Sequence, residues 1–160
     1  MTDNIELMQR FRAAATKFIE IVDSAPHLET EVFLANVSHG MAELYSIALS
    51  LPAVEPDTDT DNSPVKTANW DELHRSLGEK IGPLDTYWTI FDFTEKPEPV
   101  QGSLAADISE IYADLKQSLR LEELGIPRAD VLFDWRLDFR SHWGRHLLGA
   151  LTAIHHRNVE

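Results

Sequence analysis

Apolar residues recur along most of this chain at spacings of three and four, the period of one helix face. Ile5, Met8, Phe11, Ala15, Phe18, Ile19 and Val22 predict a first helix from about Asp3 to Asp23, with Asp3 and Glu6 forming a capping box. Ser24-Ala25-Pro26 interrupts it. Phe33, Val37, Met41, Leu44, Ala48 and Leu51 predict a second helix over about Leu28–Leu51, ended by Pro52. An acidic loop without periodicity follows, near 53–66, and reads as a mobile connection within one domain. Asn69 is placed to cap a third helix through about Ile81, with Asp71 and Glu72 in its first turn, and Gly82-Pro83 stops it. The aromatic run Tyr87–Phe93 reads equally as a short helix or an extended stretch, and Lys96–Pro99 reads as a turn. Ser103 caps a fourth helix to about Glu123, with Gly125 at the left-handed position that follows a helix.

The last helix is expected to run unbroken from about Pro127 to His156. On a wheel of about 100° per residue, Val131, Trp135, Phe139, His142, His146, Gly149 and Ala153 fall on one side, and Phe133, Leu137, Leu148 and Leu151 nearly opposite. A helix apolar on most sides is a central one. Gly144, Gly149, Ala150 and Ala153 would let its neighbours approach closely. About five helices with no convincing strand predict an all-α, single-domain bundle over residues 1–160, with the C-terminal helix central.

Composition removes several classes. The chain has 160 residues and no cysteine, which excludes disulfides, thiolate metal sites and a catalytic thiol. A net charge of -13 disfavours nucleic acid and anionic membranes as partners, because both recruit Lys and Arg. No stretch approaches the length of a membrane helix, and the N-terminus lacks the basic start of a signal peptide, so the expectation is a cytoplasmic protein. The charge is uneven. Residues 52–100 hold eleven acids and four bases, net -7, whereas residues 101–160 hold nine acids and seven bases, net -2.

That nearly neutral segment carries the candidate chemistry. Asp138, His142 and His146 lie at i, i+4 and i+8, so Asp138 could orient His142 and both imidazoles could face one site. Asp107, Glu110 and Asp114 flank the apolar stripe of the fourth helix. Antiparallel packing of the fourth and last helices would bring these carboxylates to His142, Arg136 or Arg140. Two histidines near carboxylates match nitrogen and oxygen ligation of Zn, Mn or Fe, with His142 and His146 as candidate ligands; the competing reading is a pair of core histidines held by Asp138, a carboxylate of the fourth helix or a backbone carbonyl. Arg136 and Arg140 could clamp a carboxylate or phosphate, or pair with those same acids. Tyr87, Trp88, Trp135 and Trp143 could line a ligand pocket, or belong to the core. Asp107 and Glu110 resemble half of the magnesium motif of helical nucleotide pyrophosphohydrolases, but Asp134 and Asp138 are spaced by four and the second half fails.

The runs Gly102–Lys116 and Trp135–His146, with Tyr87-Trp88 and the stretch from Leu44-Tyr45 to Leu51-Pro52, resemble a bacterial helical family labelled domain of unknown function 5063. Ser141-His142-Trp143-Gly144 followed by His146 is its most specific element. The resemblance spans about residues 28–155 and implies a bacterial, mostly single-domain, all-α protein with no established activity. This chain has Ala106-Asp107-Ile108-Ser109-Glu110 where members often carry Asp-Asp ahead of Leu-Ala-Asp, which thins the acidic face. The resemblance assigns no catalytic residue.

Two functional classes follow. The first is a non-enzymatic module binding a partner protein, itself or a small ligand, with no cofactor, its buried Asp/Arg/His network fixing helix register; small acidic immunity or antitoxin-like inhibitors are an analogy within it. The second is a metal-dependent, hydrolase-like enzyme using His142, His146 and Asp138, with Arg136 or Arg140 on an anionic substrate. Convergence of those side chains around an open pocket would favour the enzyme; mutual satisfaction would favour the module.

Overall fold

The computed structural model describes residues 2–59, 69–90, 92–94 and 98–157. Helix α1 spans Thr2–Asp23 and α2 spans Thr30–Ala48, joined by a short 3-10 turn over Ala25–His27. Helix α3 spans Trp70–Ile81, strand β1 Thr86–Ile90, strand β2 Pro99–Ser103, α4 Leu104–Glu123, α5 Arg128–Asp138 and α6 Gly144–Arg157. The fold is predominantly α-helical, as the periodicity predicts. The expected Asp3 cap, the part of the acidic loop at residues 60–68, Phe91 and Lys96-Pro97 lie outside the described side chains or residues.

Several expectations need correction. Residues 86–90 and 99–103 pair as a two-stranded antiparallel hairpin, with Tyr87 opposite Gly102 and Trp88 opposite Gln101. Pro99, Gln101, Gly102 and Ser103 are weak strand formers, so β2 is held by its neighbours and not by propensity. Asn69 occupies the N-cap position of α3, but its side chain makes no capping bond. Helix α2 is shorter than its apolar period suggests, because Leu28 is extended before it and Leu49 closes it. The Ser103 cap is formed, its hydroxyl accepting from the Ala106 N–H at 3.1 Å, and Gly125 has the left-handed φ of 73°.

The last helix is not one continuous α-helix. Residues Phe139–Trp143 form a π turn between α5 and α6. The buried residues Val131, Trp135, Phe139, Trp143 and Leu147 are each four apart. In an unbroken α-helix that spacing drifts about 40° per step, leaving Val131 and Leu147 about 160° apart. One residue absorbed by the π turn removes about 100° of this, so both ends face the core. The wide apolar arc of the wheel is thus two narrower faces drawn out of phase. Gly144 makes the turn possible: its N–H donates to the Phe139 carbonyl, and a Cβ there would collide with that same oxygen.

Helix α6 packs on α2 and α4, while α4 also touches α1, α3, α5 and β2. Trp135 and Trp143 are fully buried, and Trp135 stacks on Phe11 with ring centres 4.5 Å apart. Burial of such rings contributes a large part of the core's hydrophobic stabilisation.

Candidate functional site at the α4–α6 junction

Leu104, Ile108, Ile111 and Leu115 drive one face of α4 into the core. That orientation carries Asp107 and Asp114, on the edge of the same face, into buried positions against the π turn and α6. The π turn presents His142 there, and α6 presents His146.

Each imidazole meets its own carboxylate. His142 Nδ1 lies 2.6 Å from Asp114 Oδ2, and His146 Nδ1 lies 2.8 Å from Asp107 Oδ1. A carboxylate only accepts when ionised, so it fixes the neutral imidazole with its proton on Nδ1 and its lone pair on Nε2. Asp107 also accepts from the Tyr87 hydroxyl at 2.5 Å, which ties the hairpin to α4 and α6. The two imidazoles meet edge to face, with ring centres 4.9 Å apart. Glu110 approaches His142 Nε2 at 3.9 Å. The side chains of His142 and His146 remain 46% and 31% exposed, whereas their carboxylate partners are nearly covered.

Tyr87 reaches Asp107 through a gap that two glycines leave. A Cβ on Gly149 would lie 2.6 Å from the Tyr87 hydroxyl, and one on Gly102 would lie 2.6 Å from its ring. The close approach expected at Gly149 is therefore made by the hairpin. Burial, reinforced by the bond to Asp107, raises the Tyr87 phenol far above its ordinary value and keeps it a donor.

The junction is crowded with negative charge. Burial raises the Asp114 carboxyl, and Glu110 adds to the rise, while the bond from His142 opposes it. Asp138 is pushed up to about 6 by burial and by the nearby Asp114 and Asp134 carboxylates. The hydrogen bond to Asp107 raises His146, against the opposing effect of burial.

The structure thus brings together Asp107, Glu110, Asp114, His142, His146 and Tyr87, with Asp138 close enough to feel their charge. It does not use Asp138 to orient His142: Asp114 holds that Nδ1 from the facing helix, and the π turn breaks the simple i, i+4 relation. Arg136 is not paired with the acids of α4; its Nε donates to the Leu51 carbonyl at 3.2 Å. Arg140 is exposed. Of the candidate pocket aromatics, Trp135 and Trp143 are core residues, and Trp88 is 69% exposed on the hairpin. The Trp135 indole donates to the Ser118 carbonyl at 2.9 Å.

Among the described residues no three His, Asp or Glu side chains are arranged to hold a metal ion. A cavity of about 270 Å³ lies between α3 and α4, lined by Trp70, Leu73, Ser76, Ser109 and Tyr112 among others, and none of its lining residues belongs to the histidine junction. Sequence reasoning missed a third buried acid, Asp130. It accepts from the Asp57 and Thr58 N–H groups and from the Thr58 hydroxyl, anchoring the start of the acidic loop to α5. Its signal was only an acid in a first helical turn, which reads as a dipole partner.

Among the described residues no helix is long and apolar enough to cross a membrane. A crystal structure of a protein from Bacteroides fragilis has a similar fold, with a TM-score of 0.78 and 21% identity over 93% of this chain and 90% of that one. No curated protein matches the sequence. The family model for the domain of unknown function 5063 matches residues 2–160, and the chain belongs to that family.

Proposed function

We propose that the chain is a non-enzymatic interaction module that binds a partner protein through the outer side of its hairpin. The carrying observation is the contrast between the two sides of that hairpin. Its inner residue Tyr87 is locked by Asp107, Gly102 and Gly149, while Trp88 on the same strand stands 69% exposed and Phe93, beyond the end of that strand, 82% exposed. Exposed large aromatics are among the residue types that anchor interfaces. The polar junction then serves to hold the recognition element in place, since its Nδ1 and phenol groups are bonded within the protein. The exposed acids Asp92 and Glu98, in the connection between the two strands, favour a partner surface that is basic around an apolar centre.

The test compares the full chain with its Trp88→Ala/Phe93→Ala variant as bait in lysate of the source organism. The expected result is one specific protein, captured by the native chain and lost by the variant while its circular dichroism is unchanged. Capture indifferent to the substitutions, or no capture together with a monomer in light scattering, contradicts the reading.

A further inference from the structure

We propose that His142 and His146 chelate one divalent first-row transition-metal ion through their Nε2 atoms, with water completing its shell. Three observations carry this site independently of the hairpin reading. Both Nδ1 atoms are bound by buried carboxylates, at 2.6 and 2.8 Å. This carboxylate–imidazole pairing is the outer-shell arrangement that fixes the tautomer and aims the second nitrogen at a metal. Both rings are partly open to solvent, so water and an ion can reach them.

The third observation is the ring separation. Nitrogen ligands bind such ions at about 2.0–2.1 Å, which places each ring centre about 3.2 Å from the metal. Angles of about 90–109° between two imidazoles at one ion then require ring centres about 4.5–5.2 Å apart. The observed separation is 4.9 Å. The ring separation therefore suits chelation without movement of the helices. Glu110, 3.9 Å from His142 Nε2, is a side chain able to accept from a metal-bound water. Two imidazoles select Zn²⁺, Ni²⁺ or Cu²⁺ over the hard ions Mg²⁺ and Ca²⁺.

The experiment titrates the chelator-treated full chain with Zn²⁺ or Ni²⁺ alone, reading heat and imidazole ¹⁵N signals. The expected result is one ion per chain, with the Nε2 signals of His142 and His146 moving together and Mg²⁺ without effect. His142→Gln, at a half-exposed position that leaves the core intact, weakens binding by about tenfold or more, and Asp107→Asn or Asp114→Asn weakens it by about 10–100-fold. The adjacent pair His155 and His156, with ring centres 5.9 Å apart, is the internal control. Absence of binding, shifts confined to His155 and His156, or affinity unchanged in His142→Gln overturns the proposal.

Discussion

Two of the acid-anchored junctions among the described residues are built on opposite electrostatic plans. At Asp130 one carboxylate receives three donors, two backbone N–H groups and a hydroxyl, all from residues 57 and 58. Chiefly through the Thr58 hydroxyl, these hold its carboxyl below the usual range. At the α4–α6 junction Asp107, Asp114 and Asp138 share space with Glu110 and two imidazoles, and both Asp114 and Asp138 are raised. A carboxylate satisfied by backbone donors completes a structural joint. Carboxylates competing for two half-exposed imidazoles leave a site whose charge depends on pH and on what approaches the outer nitrogens. The difference separates a tether from a candidate binding site, although both begin as a buried aspartate.

The largest test of that contrast targets the π turn. Gly144→Ala puts a Cβ onto the Phe139 carbonyl and should destabilise the protein by about 2–3 kcal/mol in urea unfolding. It should also disturb the His142–Asp114 pair while leaving the Asp130 tether intact, read from the amide signals of Asp57 and Thr58. Next is Gly149→Ala. Helix propensity alone would favour it by about 1 kcal/mol, but its Cβ meets a hydroxyl that Asp107 holds in place. A net loss of about 1–2 kcal/mol is expected. Tyr87→Phe in the same chain should recover much of it in a double-mutant cycle.

Smaller effects come from pH, and the two junctions differ in sign. Asp138 titrates at about 6 in the folded chain against 3.8 as its ordinary value, so folding binds a proton and stability falls as pH rises from about 4 to about 6. His146 is raised above 6.5, so its contribution is complete below that value and is lost as pH rises through its folded value. Both favour mild acid. Asp130 is lowered, so its contribution is present above 3.8 and is lost as pH falls through its folded value. The Asp138 shift of roughly two units corresponds to about 3 kcal/mol at most, and solvent screening of this partly exposed group reduces it to about 1 kcal/mol. Asp138→Asn should therefore raise stability by about 1 kcal/mol near pH 7.5, by about half of that near pH 5 and hardly at all near pH 3, measured by urea unfolding at all three. Asp130→Asn should lower the melting temperature near pH 7.5, with its deficit shrinking toward pH 3.

The helices were legible because their apolar positions repeat at one period and several boundaries carry their own chemistry, as at Ser103 and Gly125. The π turn was written in the four-residue spacing from Val131 to Leu147 and in Gly144, but a wheel with a fixed angle conceals it. The hairpin was hidden because Tyr87–Phe93 fits either period and β2 has little strand propensity of its own. At the junction, residue types and helix faces brought Asp107, Glu110, Asp114, His142 and His146 to attention. Which carboxylate holds which imidazole depended on the packing of α4 against α6, which no spacing within one helix encodes. That is why Asp138 was the natural sequence partner of His142 and Asp114 is the structural one. Asp130 escaped notice because its donors lie more than seventy residues away, in a loop without periodicity.

The central claim is that buried carboxylates fix both junction imidazoles with the proton on Nδ1 and the lone pair on Nε2. Long-range ¹H–¹⁵N correlation of the histidine side chains, at a pH above the raised His146 value, tests it most directly. His142 and His146 should each show a protonated Nδ1 and a bare Nε2. A protonated Nε2 with a bare Nδ1, or averaging between the two tautomers, at either residue would contradict it.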